Sequence, residues 1–233
     1  MSEDDKVFLD VCQLLNRHSV NFWICHGTLL GIIRENRLLP WDHDMDFAVW
    51  DSENSKREII DLFISNGYKQ ELVFGDVDCL HFYGENKKID ISFYKVNDSI
   101  ASIKWIAPSE SFFANFYLYC IQVIWEKSSK NIQFSSFKVK KIMQFVLVRA
   151  LLVVKFFLSN STKEYLYKKS IKYMNHTGYS YPFDLMEFKK IEYNNCLIQV
   201  PKDSEKCLEF TYGKYWRTPK KEYIWHDEAD NLT

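Results

Sequence analysis

A chain of 233 residues with 47% hydrophobic and 26% charged residues has enough apolar surface to bury a core, which excludes wholesale disorder and fits one large domain or one domain with an appendage. Lys and Arg total 30 against 31 Asp and Glu, so the basic excess that bulk binding to nucleic acid requires is absent. Aromatic residues reach 17%, and some of those rings are expected to line a site or an interface.

In chain order, Val7, Phe8, Val11, Leu14 and Leu15 form an apolar stripe at helical spacing within residues 6–18. Phe22-Trp23-Ile24-Cys25 is long enough for one buried strand, broken by His26-Gly27-Thr28, after which Leu29 to Glu35 suits a short helix. Pro40-Trp41 leads into a second strand, Met45 to Trp50, whose entrance is acidic. Ser55 to Asn66 is an amphipathic helix closed by Gly67. Strand-like runs follow at 69–74, 79–83 and 89–94, with residues 84–88 as a hairpin turn between the last two. Residues 110–158 are strongly apolar and helical in pattern, and Lys163 to Met174 continues as a helix. After Pro182 come strands at 188–193 and 196–200, a helix near 203–211, and a turn-rich aromatic segment from Tyr212 to Pro219. This alternation predicts an α+β fold, a mixed sheet flanked by helices with an apolar helical insertion. The expected organisation is a catalytic core over 1–109, the insertion over 110–184, and the C-terminal part of the catalytic domain over 185–233.

The six cysteines, Cys12, Cys25, Cys79, Cys120, Cys196 and Cys207, form no CxxC pair and have no histidines at zinc spacing. They are expected to be reduced core thiols of a cytoplasmic protein. The opening MSEDDKVF is acidic and has no signal-peptide apolar region, which argues against secretion.

Chemistry concentrates in Trp41-Asp42-His43-Asp44-Met45-Asp46-Phe47. On a strand, alternation puts Asp42, Asp44 and Asp46 on one face, where they repel unless a cation lies between them. Oxygen ligands of this kind suit Mg²⁺, which commonly takes one or two carboxylates plus substrate phosphates. A solvated acidic turn is the alternative, weakened by the apolar Trp41, Met45, Phe47, Val49 and Trp50 around the acids. Asp90, alone among apolar residues of its strand, would complete a three-carboxylate site for one metal or two if that strand lies beside the first; otherwise it is an edge acid facing water. At His26-Gly27-Thr28 a glycine permits close backbone approach to a phosphate, and a helix starting near Thr28 aims free N–H groups at an anion. Arg34 and Arg37 follow, as phosphate clamps or as a solvated face.

The order His26-Gly27-Thr28-Leu29-Leu30-Gly31, Arg34, then Pro40-Trp41-Asp42-His43-Asp44-Met45-Asp46 resembles the LicD family, which includes the fukutin-related proteins. The ending, Val200-Pro201, Leu208, Tyr212-Gly213, Trp216 and Pro219, resembles the family's closing signature. The resemblance implies a nucleotidyltransferase-like fold. It also implies transfer of a phosphorylated small alcohol, such as phosphocholine or ribitol phosphate, from a CDP-linked donor to a sugar hydroxyl of a cell-surface glycan or lipid-linked oligosaccharide. The cofactor would be Mg²⁺, with Mn²⁺ as a substitute. Asp44 and Asp46 would be metal ligands and Asp90 the third carboxylate, and Asp90 or another metal-bound carboxylate would take the hydroxyl proton. His26, Gly27 and Thr28 would form the phosphate-side loop, Asp42 an accessory acid, and Arg34 a stabiliser of the leaving phosphate. Tyr215 and Trp216 are candidates for stacking on a base or sugar, with packing against the sheet as the alternative. His226 is either catalytic or a solvated tail residue. His43 stands where the family often has Asp, and no counterpart of the zinc site of some animal relatives is visible. Residues 110–184 match nothing in the pattern, so acceptor choice is expected to reside there.

The most hydrophobic stretch, 142–158, is slightly short for a transmembrane helix and contains Arg149 and Lys155. Lys138, Lys141, Gln144, Arg149 and Lys155 share one broad helical arc, interrupted by Val148 and Leu152. Two readings stay open: an interfacial helix on the cytoplasmic face of an anionic inner membrane, or a buried core helix. For the whole chain, the competing functions are a true nucleotidyltransferase releasing pyrophosphate and a catalytically silent membrane-associated scaffold. An acid–base glycosidase fits poorly, because acids so close on one strand do not flank a sugar easily.

Overall fold

The computed structural model describes residues 3–71, 73, 78–84, 87–107, 111–125 and 141–220, and for 106, 107 and 141–145 the backbone only. Expectations for Glu85 and Asn86 of the hairpin turn, the end of the 69–74 strand, residues 126–140 and His226 fall outside these.

Helix α1 (Glu3–Arg17) carries three acids in its first turn and Arg17 in its last, complementing the helix dipole. Its stripe buries Val7, Phe8, Val11, Leu14 and Leu15. Phe8 stacks on Phe47 at 5.5 Å between ring centroids and meets Tyr193 edge-on at 5.7 Å.

The sheet is built from β1 (Phe22–Ile24), β2 (Asp44–Trp50), β3 (Lys69–Glu71), β4 (Cys79–Gly84), β5 (Lys87–Asn97), β6 (Ile100–Ala107) and β7 (Asn175–Pro182). The order is β1-β2-β5-β4-β3, with β6 paired to both β5 and β7. β2 and β5 run parallel, with Asp44 opposite Lys88 and Asp46 opposite Asp90. The β1–β2, β3–β4, β4–β5 and β5–β6 pairs are antiparallel. The parallel pair is the most buried part: Met45, Phe47, Ala48 and Val49 of β2 and Ile89, Ile91 and Phe93 of β5 are inaccessible, as expected for strands covered on both faces. Helix α3 (Lys56–Ser65) lies between β2 and β3 in the chain and buries Ile59 and Phe63, the latter stacked on Phe82 at 4.3 Å.

β7 was not foreseen. Its stretch lies in the region read as insertion, yet the alternation Tyr179-Ser180-Tyr181 buries both tyrosines in the main core. A two-residue turn with Asn194 and Asn195 both at positive φ (48° and 62°) joins β8 (Phe188–Tyr193) to β9 (Cys196–Pro201), the geometry that closes tight hairpins. Helix α7 (Ser204–Tyr212) is capped by Asp203, which accepts from the Lys206 N–H.

By contacts the chain divides into two compact units, Met1–Trp105 with Thr177–Thr233, and Ile106–His176. The second contains α4 (Phe112–Trp125), α5 (Lys141–Phe157) and α6 (Asn160–Ser170), followed by a short 3-10 turn, Ile171–Tyr173. Within it α4 packs on both α5 and α6, and Trp125 stacks on Tyr167 at 5.0 Å. Among the described side chains from residue 146 to 158 none is buried. The polar arc read from the helical wheel also splits. Lys155 turns toward α4 and donates to the Val123 carbonyl at 3.4 Å, whereas Arg149 sits on an exposed face with Val146 and Val153. Among the described residues no helix is long and apolar enough to cross a membrane.

Candidate active site

The site forms where β1 hands the chain to helix α2 (His26–Glu35) beside the mouth of β2. The Cys25 N–H donates to the Asp46 carbonyl, extending the β1–β2 ladder to the helix start. The helix begins at His26, in the left-handed region with φ 45°, rather than near Thr28. Its early N–H groups are not free. Gly27 and Thr28 donate to Asp46 Oδ2 at 3.0 and 3.4 Å, and the Asp46 N–H donates to Thr28 Oγ1 at 2.7 Å. The anion at this helix N-terminus is therefore Asp46 itself, held by the same donors and dipole that would hold a phosphate.

Gly27 serves the same acids. A Cβ on it would collide with Asp42 Oδ2 and lie 3.4 Å from Asp46 Oδ2. At Gly31 a Cβ would come within 2.6 Å of the Arg37 carbonyl. Asn36, at φ 53°, caps the helix with its N–H on the Gly31 and Ile32 carbonyls and turns the chain back toward Leu39, which is buried. The two glycines thus permit the tight return that delivers Asp42 to the start of α2.

Asp42 lies in the turn before β2 rather than on the strand, so alternation alone does not align the three acids. They nevertheless converge: Asp42, Asp44 and Asp46 each offer a carboxylate oxygen within 4.8 Å of the others. Lys87 Nζ pins the turn by donating to the Asp42 carbonyl and to Asp4 Oδ2, both at 2.8 Å. Burial, followed by the hydrogen bond and charge of Asp44, raises the Asp42 pKa to about 7. Burial and the charges of Asp44, Asp42 and Asp90 push Asp46 well above the ordinary carboxylate range, against the lowering effect of the Thr28 amide. Asp42 and Asp46, which resist ionisation where they are gathered, form with Asp44 a site that a divalent cation would relieve, and an all-oxygen donor set fits a hard cation such as Mg²⁺.

Asp90 occupies the in-register position beside Asp46, but its own oxygens face other partners. Oδ1 is 2.8 Å from His81 Nδ1 and Oδ2 accepts from Lys88 Nζ at 3.0 Å. Burial raises its pKa, but the His81 hydrogen bond and charge together with Lys88 outweigh that and leave it lowered. Cys79, His81 and Asp90 form a second group with ligand atoms within 4.8 Å of one another, a mixed S, N and O set softer than the triple carboxylate. The sequence reading missed it. Its signal was Cys79-x-His81 on one face of a strand, a spacing outside the CxxC pattern, and the third member arrives only through β4–β5 pairing, with His81 opposite Asp90.

The remaining candidates are placed as follows. His26 is held by Tyr94 Oη at 3.2 Å and stacks on Tyr179 at 5.7 Å; burial lowers its pKa to about 4, against the opposing charge of Asp90, so it is neutral near pH 7. Arg34 is corrected. Its guanidinium binds Glu35 and donates to the Trp216 carbonyl at 3.1 Å, tying α2 to the closing aromatic segment instead of facing a phosphate. Trp216 takes the packing alternative. It is 5% exposed within the core, with the Arg217 guanidinium 4.2 Å above its ring, which leaves no face for a base. Tyr215 is exposed and carries Lys214 Nζ 4.8 Å over its ring.

Part of the chain resembles known proteins. The family model described as LicD/FKTN/FKRP, nucleotidyltransferase domain, matches residues 19–111, a span that includes α2, β2 and Asp90. An uncharacterized protein of Rickettsia typhi is 29% identical over 111 residues, covering 47% of this chain and 35% of its own. Ribitol-5-phosphate transferase FKTN of Homo sapiens is 31% identical over 86 residues, covering 35% of this chain and 18% of its own. The chain thus spans about a third or less of the length of these relatives. A crystal structure of ANT(2")-Ia in complex with adenylyl-2"-tobramycin covers 73% of this chain and 98% of its own at 11% identity, with a TM-score of 0.36, too low to bear on function. The acid-lined junction of α2 and β2 falls inside the span, residues 19–111, that matches the LicD/FKTN/FKRP nucleotidyltransferase-domain model.

Proposed function

We propose that the chain is a divalent-metal-dependent transferase that moves a phosphorylated small alcohol from a CDP-linked donor to a sugar hydroxyl of a glycan. The observation that carries this is the convergence of Asp42, Asp44 and Asp46 at the N-terminus of α2. The named activity of the FKTN relatives, ribitol-5-phosphate transfer, supports the choice of transferred group.

In this reading Asp44 and Asp46 hold the cation, with Asp42 as the accessory acid and Asp90 as the third carboxylate on the neighbouring strand. A cation bound there, Mg²⁺ or Mn²⁺, supplies charge neutralisation at the donor's diphosphate. The Gly27 and Thr28 amides fix Asp46, and His81 and Lys88 keep Asp90 ionised and oriented. The acceptor oxygen forms a bond to the transferred phosphorus and the phosphoanhydride bond breaks. CMP leaves, and a carboxylate of the cluster takes the hydroxyl proton. A second reading, transfer of the nucleoside monophosphate itself with release of pyrophosphate, uses the same acids and is favoured by the family's description as a nucleotidyltransferase domain.

The test is a thermal-shift panel of CDP-choline, CDP-ribitol, CDP-glycerol and nucleoside triphosphates, each with and without Mg²⁺. Metal-dependent stabilisation by one CDP-alcohol, followed by CMP release on adding a glycan acceptor, is the expected result. Stabilisation by a triphosphate alone, with pyrophosphate as product, replaces it with the second reading.

A further inference from the structure

The near-neutral charge of the whole chain conceals a partition. Residues 106–176 hold eleven Lys and Arg against three Asp and Glu, a net charge of +8, whereas the rest holds nineteen against twenty-eight. Among the described residues of that basic unit, Lys168, Lys169 and Lys172 are exposed around α6. The same unit exposes large apolar side chains. On α5, Val146, Val153 and Phe157 recur at helical spacing along one face, and Phe156 borders it; Phe156 and Phe157 are 82% and 78% exposed. Helix α4 adds Phe112 and Phe113, the latter 80% exposed.

An apolar stripe and a net charge of +8 in one small unit restrict what can cover it. A second copy would bring the same +8 against the first and repel it. A duplex would take the charge and leave the phenylalanines in water, and a single strand, whose bases can stack on rings, would leave Val146 and Val153 uncovered. An anionic bilayer satisfies both: the rings and valines enter the boundary between headgroups and acyl chains, and the bases are drawn to the surface potential. We infer that the α5 face bearing Val146, Val153, Phe156 and Phe157 docks on an anionic lipid bilayer, with the lysines of α6 supplying attraction. This does not rest on the phosphotransfer chemistry and stands or falls separately from it.

The experiment is co-sedimentation of the full chain with vesicles of phosphatidylcholine alone, and of phosphatidylcholine mixed with phosphatidylglycerol, at physiological salt. Binding to the mixed vesicles is expected to be about tenfold tighter or more. Phe156→Ser with Phe157→Ser should weaken it by about tenfold. Lys168→Glu, Lys169→Glu and Lys172→Glu together should abolish the preference for anionic lipid while leaving the melting temperature and the thermal shift with CDP-alcohol and Mg²⁺ unchanged. Failure of the folded wild-type chain to sediment with either vesicle overturns the inference, as does equal binding to both. A concentration-dependent dimer that disappears in the phenylalanine double variant also overturns it, since the face then belongs to a second copy.

Discussion

The strand that carries the acids and the helix that carries the most apolar run of the chain have exchanged the environments their composition would assign. β2 takes Asp44 and Asp46 into a half-buried cleft between inaccessible Met45 and Phe47, whereas α5 leaves Phe156 and Phe157 almost fully in water. Charge drawn inward is costly without a compensating ligand. Apolar surface left outward forgoes the contribution it would make to folding. Each departure points to something that completes it, a cation in one unit and a covering surface in the other. Average hydropathy hides both, because the two deviations cancel in a whole-chain sum.

The contrast is sharpest at Asp46. Asp46→Asn should lower turnover about a thousandfold or more, roughly 4 kcal/mol of transition-state stabilisation. It should leave the melting temperature equal or higher, because the amide oxygen still accepts from Gly27 and Thr28 and a repelled charge is gone. Steady-state kinetics with a thermal melt checks this, and retained turnover would remove Asp46 from the ligand set. Next in size, Phe47→Ala should destabilise the sheet unit by about 3 kcal/mol or more, since the ring is inaccessible and packs on Phe8 and Phe22. Denaturant unfolding measures it.

A smaller effect tests the cost of gathered acids. Asp42 and Asp46 have folded-state pKa values above their ordinary range, Asp42 near 7, so the folded state binds protons that the unfolded state has already released. Their contribution to the stability of the metal-free protein is therefore greatest at low pH within this window and is lost as pH rises from about 4 through 7, whereas His26, with its pKa lowered to about 4, contributes in the opposite sense below about 6.5; the acids' share is read as the difference between wild type and Asp42→Asn, an expected ~2–4 °C in melting temperature. Added Mg²⁺ should restore it increasingly over the same range. A wild-type melting temperature that does not fall relative to that of Asp42→Asn between pH 5 and 8 would contradict the arrangement. At the small end, Phe157→Ser should change stability by less than about 0.5 kcal/mol, in contrast to Phe47→Ala.

What the sequence disclosed was local. The stripe of α1, the β8–β9 hairpin and α7 rest on periodicity, turn residues and caps within a few positions, and they appear close to where those signals place them. The acidic mouth of β2 was legible because consecutive acids among apolar residues have few structural uses. Features set by distant partners were not legible. The start of α2 was placed late because its cap is Asp46, from another element, and no side chain at Cys25 caps it. Arg34 and Trp216 were read as ligand groups because chemical type says nothing of whether a guanidinium finds a carbonyl far along the chain or an indole finds the core. His81 went unnoticed because its meaning depends on Asp90 across the β4–β5 ladder.

The parallel pairing of β2 with β5 has a consequence for how activity first arises. The residues of α3, β3 and β4 separate the two strands in the chain, so the ladder closes a long loop and forms among the late, entropically expensive contacts. A slip of one residue in that ladder would turn Asp90 to the opposite face of the sheet. Nascent helices and hairpins accumulate earlier, yet none of them brings Asp90 beside Asp46. Asp42, Asp44 and Asp46 are near neighbours in the chain, so it is Asp90 alone that joins the carboxylates in the event that commits the chain to its native topology.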